Sequence, residues 1–230
     1  MRQEDDVKFI DKKAILFDLD GTIIDSVPDL AISINLMLKQ LGRETFEEDT
    51  IRYWVGNGAL VLVSRALSGS TEVDADLDPK LFEEAFALFS KFYLQSPAVS
   101  TQLYPNVKES LTKLHDKYTL VIVTNKAVEF VAPILKGLGI YDLFEFYIGG
   151  NSLERKKPDP MQLLYVCKRL NISVDEAVMV GDTKNDILSA NSANMQSIGL
   201  TYGYNYGEPI ITYHPDLIVD DFSDILKSFL

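Results

Sequence analysis

Residues 14–22, Ala14-Ile15-Leu16-Phe17-Asp18-Leu19-Asp20-Gly21-Thr22, decide how this chain is read. A short apolar run that does not alternate is the pattern of a strand buried on both faces of a parallel sheet. Two carboxylates, Asp18 and Asp20, close the run, and Gly21 marks where the strand must end. Open α/β sheets place their sites at the carboxyl ends of their strands. Asp18 and Asp20 are therefore candidates for a nucleophile and a general acid/base, with a metal to offset their charge. The same segment also reads as a plain turn, since Asp-Gly is a common turn dipeptide.

Working outward, similar runs recur at residues 120–124, 144–148, 177–180, 197–200 and 217–219. Helix-like segments lie between them: 107–114, with Val107, Leu111 and Leu114 on one face, then 128–138 and 161–170. Strand and helix in alternation predict right-handed crossovers and an α/β fold, a Rossmann-like open parallel sheet. One interval breaks the rhythm. Residues 28–100 hold helical patterns and no convincing strand: Ile34, Leu38 and Leu41 share one face, and Leu81, Ala85, Leu88 and Phe92 share another after an acidic linker at 72–78. The expectation is an inserted all-helical subdomain over 28–100, with residues 1–27 and 101–230 forming the sheet domain. Ser26-Val27-Pro28 and Ser96-Pro97 are the expected hinges, because proline punctuates both ends.

At 230 residues, one large domain with an insert, or two modest domains, is the size expected. Apolar residues make up 47% and charged residues 24%, the balance of a soluble globular protein. No apolar run approaches the roughly 20 residues of a membrane span, so no membrane partner is expected. Glu4, Asp5 and Asp6 stand where a signal peptide would be apolar, which predicts a cytoplasmic location. The single Cys167 cannot form an internal disulfide, and its apolar surroundings read as a helix core position. His115 and His214 stand in polar surroundings and read as neither ligands nor bases.

The net charge of −12, from 34 acidic and 22 basic residues, disfavours nucleic acid as a partner. It also constrains any phosphate chemistry, because a phosphomonoester carries about −1.5 to −2 charges near neutrality. Such a substrate would need a local cation, either a metal or a well-placed Lys.

Three further segments follow other expected strands. Thr124-Asn125-Lys126 follows 121–123, where a hydroxyl and the first amides of the next helix could bind an anion; it also reads as an ordinary helix N-cap. Lys157-Pro158 follows Gly149-Gly150, and the Lys could neutralise a phosphate or simply be solvated. Gly181-Asp182-Thr183-Lys184-Asn185-Asp186 follows 178–180. Its two acids, four apart, are expected on one face of a starting helix, where the helix dipole alone would also favour them. Within the helical interval, Gly56-Asn57-Gly58 is either a loop whose amides approach a ligand or a turn between helices.

Taken in order, Asp18-x-Asp20-Gly21-Thr22, Thr124-Asn125, Lys157-Pro158 and Gly181-Asp182-x-x-x-Asp186 resemble the motifs of the haloacid dehalogenase superfamily of phosphatases. The resemblance implies that Asp18 attacks phosphorus to form an aspartyl-phosphate. Asp20 would then protonate the leaving oxygen and later deprotonate the hydrolytic water. Mg²⁺ would be held by Asp18, the Asp20 backbone carbonyl and Asp182, with Asp186 supporting the metal and Lys157. Thr124 and Lys157 would bind phosphoryl oxygens beside Asn125, and the inserted helices would be the superfamily's cap, with Gly56, Asn57 and Gly58 facing the substrate.

Finer features are similar to the bacterial phosphoglycolate phosphatases: Leu30-Ala31-x-Ser33, Val55-Gly56-Asn57-Gly58-Ala59, Thr124-Asn125-Lys126, Gly203-Tyr204-Asn205-Tyr206-Gly207 and the ending Pro215-Asp216-x-Ile218-x-Asp220-x-Phe222-Ser223. The likeness spans about residues 14–226 and implies a small phosphorylated metabolite, 2-phosphoglycolate, as substrate. Three positions depart from the family pattern: Ala127 in place of Pro, Asn151 in place of Asp, and Asn194 in place of Gly. A dehalogenase or a phosphonate hydrolase of the superfamily would not need Asp20. A sugar-phosphate mutase or phosphatase, a pyrophosphatase, a nucleotidase and a catalytically silent binding protein stay as alternatives. Monomer and homodimer are equally open.

Overall fold

The structure, a computed structural model, describes residues 7–95 and 98–230; the expected hinge Ser96-Pro97 lies outside the described residues. The decisive run forms β1 (Ala14–Phe17), which stops just before the first acid. Ala14 and Leu16 pack into one apolar cluster while Ile15 and Phe17 pack into another. Both faces of the strand are thus covered, which is why its sequence does not alternate.

Two strands flank β1 in parallel: β4 (Thr119–Val123) on one side and β6 (Ala177–Gly181) on the other. Phe17 lies opposite Ile122 and Val180, so all three strands finish level. Beyond β4 comes β5 (Phe146–Ile148); beyond β6 come β7 (Gln196–Leu200) and β8 (Leu217–Val219). The described residues thus form a six-stranded parallel sheet in the order β5-β4-β1-β6-β7-β8, the α/β architecture expected. The chain steps outward from β1 through β4 to β5 and then resumes on the opposite flank. A crevice opens at the carboxyl ends where connections reverse in this way.

Helices α5 (Val107–His115), α6 (Val128–Gly137), α7 (Met161–Leu170), α8 (Lys184–Ala193) and α9 (Leu226–Phe229) accompany the sheet. On α7, Cys167 packs with Leu163 and Val166 against the sheet, and burial pushes its thiol up, which suits a core residue and not a nucleophile. His115 and His214 are both exposed. Asn194 ends α8 in the left-handed conformation, at φ 55°, where Asn is the best replacement for glycine.

Between β2 (Ile24–Asp25) and β3 (Gln102–Leu103) the described chain is helical: α1 (Val27–Gln40), α2 (Glu48–Arg52), α3 (Ala59–Ser68) and α4 (Pro79–Gln95). Two sequence expectations are corrected here. The segment Ser26-Val27-Pro28 is no free hinge, because Val27 and Pro28 already open α1 and Ser26 is fully buried. Proline in a first turn forfeits no helical hydrogen bond. On α4 the fully buried side chains are Ala85, Phe89 and Tyr93, so the inward face is turned from the expected 81/85/88/92 stripe. Apolar residues surround much of α4, and the period alone does not choose a face. The choice is made by Phe130 of α6, whose ring meets Phe89 and Tyr93 edge-on at centroid distances of 6.4 and 5.0 Å.

The two crossings between the sheet and the helices lie side by side. β2 and β3 pair antiparallel, a short ribbon not expected from sequence. Next to it the buried Asp29 carboxylate of α1 accepts from Ser100 N (3.0 Å), Thr101 N (2.8 Å) and Thr101 Oγ1 (2.7 Å). Removing a buried acceptor strands its donors. Asp29→Ala is therefore expected to lower unfolding free energy by about 2–3 kcal/mol in urea titrations. A loss within about 0.5 kcal/mol, the range of an ordinary surface substitution, would remove the clasp from this account.

Candidate functional site

Three neighbouring strands deliver their next residues to one place: β1 leads into Asp18, β4 into Thr124, and β6 into Asp182. Carboxylate oxygens of Asp18, Asp182 and Asp186 all lie within 4.8 Å of one another, and all three residues are buried. The two later acids do not share a helix face as expected. Asp182 precedes the helix, Thr183 is the N-cap of α8, and Asp186 is its third residue. Asp186 Oδ2 accepts from Thr183 N (2.9 Å) and Oγ1 (2.7 Å), a capping box that aims the other oxygen inward.

That second oxygen meets Lys157, whose Nζ lies 2.5 Å from Asp186 Oδ1, 2.6 Å from the Val123 carbonyl and 3.0 Å from Asp18 Oδ1. Lys157 is 2% exposed, so it is the sealed counter-charge of the cluster and not a solvated loop residue. Burial opposes its charge, but Asp18 and Asp186 hold the ammonium above its usual value. Asp182 is gripped on both oxygens, by Thr22 Oγ1 (2.6 Å) and by the Tyr204 backbone N–H (2.7 Å). It is also crowded by two glycines. A Cβ on Gly21 or Gly203 would come within 2.2 or 2.1 Å of its side chain.

Three buried carboxylates against one ammonium leave a negative excess. Burial pushes Asp18 up to about 6, Lys157 opposes the shift, and the charges of Asp186 and Asp20 add to it. Asp182 is pushed well up by burial and then by Asp186 and Asp18. Converging oxygen donors with uncompensated charge form the donor set that a hard divalent cation takes, so these residues fit a metal.

Asp20 stands apart from the three. Its Oδ1 accepts from Ser26 Oγ at 2.6 Å, and Lys126 Nζ touches both of its oxygens, at 2.9 and 3.0 Å. The Lys126 ammonium also lies 4.9 Å from the Tyr93 ring centroid. Thr22, Lys126 and Tyr204 stand inside the quoted motifs with no site role that the sequence assigns, and Ser26 and Tyr93 stand in no chemical motif at all. A Lys in a loop and a Tyr on a helix carry no such signal until the fold brings them together.

Thr124 and Asn125 do reach the site, but not as the start of a helix. α6 begins only at Val128, whose N–H is taken by Asn151 Oδ1 at 2.8 Å, while the Lys126 N–H goes to Thr124 Oγ1 at 3.2 Å. Those two amides are thus already occupied. Asn125 instead braces the site, donating to the Lys157 carbonyl at 3.0 Å.

Gly56 and Gly58 have positive φ values of 121° and 86°, which favour glycine. Their half-buried segment touches residues that follow the sheet strands. Asn57 Oδ1 accepts from Asn185 Nδ2 (3.0 Å) and the Asn57 carbonyl from Lys156 Nζ (2.8 Å). A Cβ on Gly58 would fall 2.7 Å from the Asn125 carbonyl. Gly56 and Gly58 line a pocket above Asp18, Asp20 and Thr124, whereas Asn57 points away from it toward Asn185. The pocket offers about 30 Å³, room for about two waters.

Carboxyls raised in the folded state bind protons before their unfolded counterparts do. Without a cation, stability from Asp18 therefore falls as pH rises from the ordinary 3.8 to about 6 and is regained below that, and Asp182, also raised, acts in the same direction. A bound divalent cation removes that penalty. The rise in melting temperature on adding the cation is expected to be larger at about pH 7.5 than at about pH 5. Thermal melts with cation or chelator check this, and an equal shift at both pH values would contradict the crowding.

The profile of haloacid dehalogenase-like hydrolases matches residues 15–200. The phosphoglycolate phosphatase of Colwellia psychrerythraea is 50% identical over 223 residues, 96% of this chain and 99% of that protein. That of Vibrio cholerae is 45% identical over 219 residues, 95% of this chain and 97% of its own length. Among solved structures, a predicted phosphoglycolate phosphatase from Haemophilus somnus superposes with a TM-score of 0.88 at 42% identity, covering 94% of this chain and 97% of that one. The strand order, the strand-end acids and these likenesses agree, and the chain belongs to the haloacid dehalogenase-like hydrolase family.

Proposed function

We propose that the protein is a Mg²⁺-dependent phosphatase that hydrolyses 2-phosphoglycolate to glycolate and phosphate through an aspartyl-phosphate on Asp18. The observation that carries the reaction type is the convergence of Asp18, Asp182 and Asp186, with Lys157 paired to Asp18 and Asp186, beneath a pocket lined by Asp18 and Asp20. The substrate is taken from relatives that bear the name phosphoglycolate phosphatase at 43–50% identity.

Asp18 is the nucleophile in this reading. Its carboxylate oxygen bonds to phosphorus while the bond from phosphorus to the leaving oxygen breaks. Asp20, held by Ser26 and Lys126, donates a proton to that leaving oxygen and later takes one from the water that cleaves the acyl phosphate. Thr124 faces the same pocket as Asp18 and offers a hydroxyl to a phosphoryl oxygen, and Asn125 lines its side. Lys157 keeps the floor from repelling the phosphate by neutralising Asp18 and Asp186. The carboxylates of Asp18 and Asp182 and the Asp20 backbone carbonyl would hold Mg²⁺, with Asp186 behind them. Bound there, the ion supplies charge neutralisation between two anions.

The helices α1–α4, residues 28–100, act in this reading as a cap over the sheet domain of residues 1–27 and 101–230. The small pocket supports that role, because a substrate larger than two waters requires the Gly56–Gly58 wall to part from Asn125. A cytoplasmic location goes with a small-metabolite substrate and with Cys167 as the sequence's one, buried cysteine.

Two measurements test the proposal. Phosphate release from a panel of small phosphomonoesters, with and without Mg²⁺, is expected to be metal-dependent and highest for 2-phosphoglycolate. Much faster turnover of sugar phosphates or nucleotides would overturn the substrate. Asp18→Asn is expected to stay folded and to lose about 10⁴-fold or more in turnover, and near-normal activity would remove the nucleophile.

A further inference from the structure

The pocket above Asp20 has an unusual charge distribution. Its upper walls are apolar, built from Leu30, Val55, Leu62, Phe89 and Phe130. Among the described residues lining it, Lys126 is the one cation, since Lys157 is spent beneath Asp18 on three acceptors. The Lys126 side chain is 4% exposed, and both of its ion-pair contacts go to the Asp20 carboxylate. Against it lies Tyr93, whose ring centroid is 4.9 Å from the ammonium and whose buried hydroxyl adjoins Lys126 and has no other partner among the described residues. An ammonium and a hydroxyl thus meet inside an apolar enclosure, beside the group that protonates the leaving oxygen.

Resting on the reading of Asp20 as acid/base, we infer that Lys126, assisted by the Tyr93 hydroxyl, is the specificity-determining group that selects phosphomonoesters whose leaving alcohol carries a carboxylate on the adjoining carbon. The spacing supports this. The leaving oxygen must reach Asp20, and Lys126 Nζ lies 2.9–3.0 Å from the Asp20 oxygens. In a 2-phospho-carboxylate such as 2-phosphoglycolate, a single carbon separates the leaving oxygen from the carboxylate, so that carboxylate falls within reach of the same ammonium. An anion placed against apolar walls without a counter-charge would be strongly disfavoured, and among the described residues no other cation lines the walls. A neutral alcohol of the same size gains nothing from Lys126.

The test compares 2-phosphoglycolate with 2-hydroxyethyl phosphate, which has the same chain length and an alcohol in place of the carboxylate. kcat/KM is measured for both esters with wild type, Lys126→Met, Lys126→Arg and Tyr93→Phe at saturating Mg²⁺. Wild type is expected to prefer 2-phosphoglycolate. Lys126→Met is expected to shrink that preference by about 30-fold or more, chiefly through KM, while Lys126→Arg retains most of it. Tyr93→Phe is expected to shrink it several-fold and serves as the milder variant should Lys126→Met fail to fold. Parallel losses on both esters in Lys126→Met and an unchanged preference in Tyr93→Phe would make Lys126 a mere support of Asp20 and overturn the inference. A wild type that ignores the carboxylate would overturn both the inference and the proposed substrate. A wild type that prefers a different 2-phospho-carboxylate would overturn the substrate alone.

Discussion

Lys157 and the three carboxylates around it set the terms for the rest of the molecule. Buried like charges repel strongly in a low-dielectric interior, and a single ammonium cannot balance Asp18, Asp182 and Asp186. The surrounding structure keeps them together by bonding the oxygens of Asp182 and Asp186 and by pairing Asp18 with Lys157. Asp186 is tied into its own helix cap, Asp182 is held between Thr22 and the Tyr204 amide, and Lys157 is anchored to the Val123 carbonyl. The glycines follow from the same crowding. Gly181 leaves no room for a Cβ, which would fall 2.3 Å from the Asp186 carboxyl carbon. A metal would complete this balance electrostatically, and the protein supplies the rigid frame.

The frame is a property of the sheet. Because β1 is central and its neighbours end level with it, three consecutive strand ends present Asp18, Thr124 and Asp182 side by side with no long loop to position them. Sites built on regular elements hold their geometry more closely than sites on loops. The loop after β7 then closes the arrangement from above, using Gly203 to approach Asp182 and the Tyr204 hydroxyl to reach Asp25. Arg52 of α2 pairs with Asp25 as well and lies 5.5 Å from the Tyr204 ring centroid, so the inserted helices are joined to that loop through one shared acid.

Much of this was legible in the sequence because burial on two faces leaves a strong signal. The strands appear as apolar runs, and α7 occupies the expected 161–170 span. The strand-end position of Asp18, Thr124 and Asp182 could be read for the same reason. What escaped was set by packing between distant segments. Apolar residues surround α4 too evenly for periodicity to select the Phe89–Tyr93 face; Phe130 selects it. The N-cap at Thr183 leaves Asp182 off α8, a distinction that spacing alone does not make. Lys126 looks like any loop lysine in sequence, and only the approach of Asp20 from another strand end gives it a partner. The two-residue ribbon of β2 and β3 is too short to announce itself.

Asn151, which departs from the family pattern, carries a further consequence. Its carbonyl oxygen accepts from Val128 N while its amide nitrogen donates to Glu129 Oε2 at 3.0 Å. An aspartate could replace the first bond but not the second, and it would set one carboxylate against another. Residues 129 and 151 are therefore a coupled pair: an acid at one position is compatible with an amide at the other.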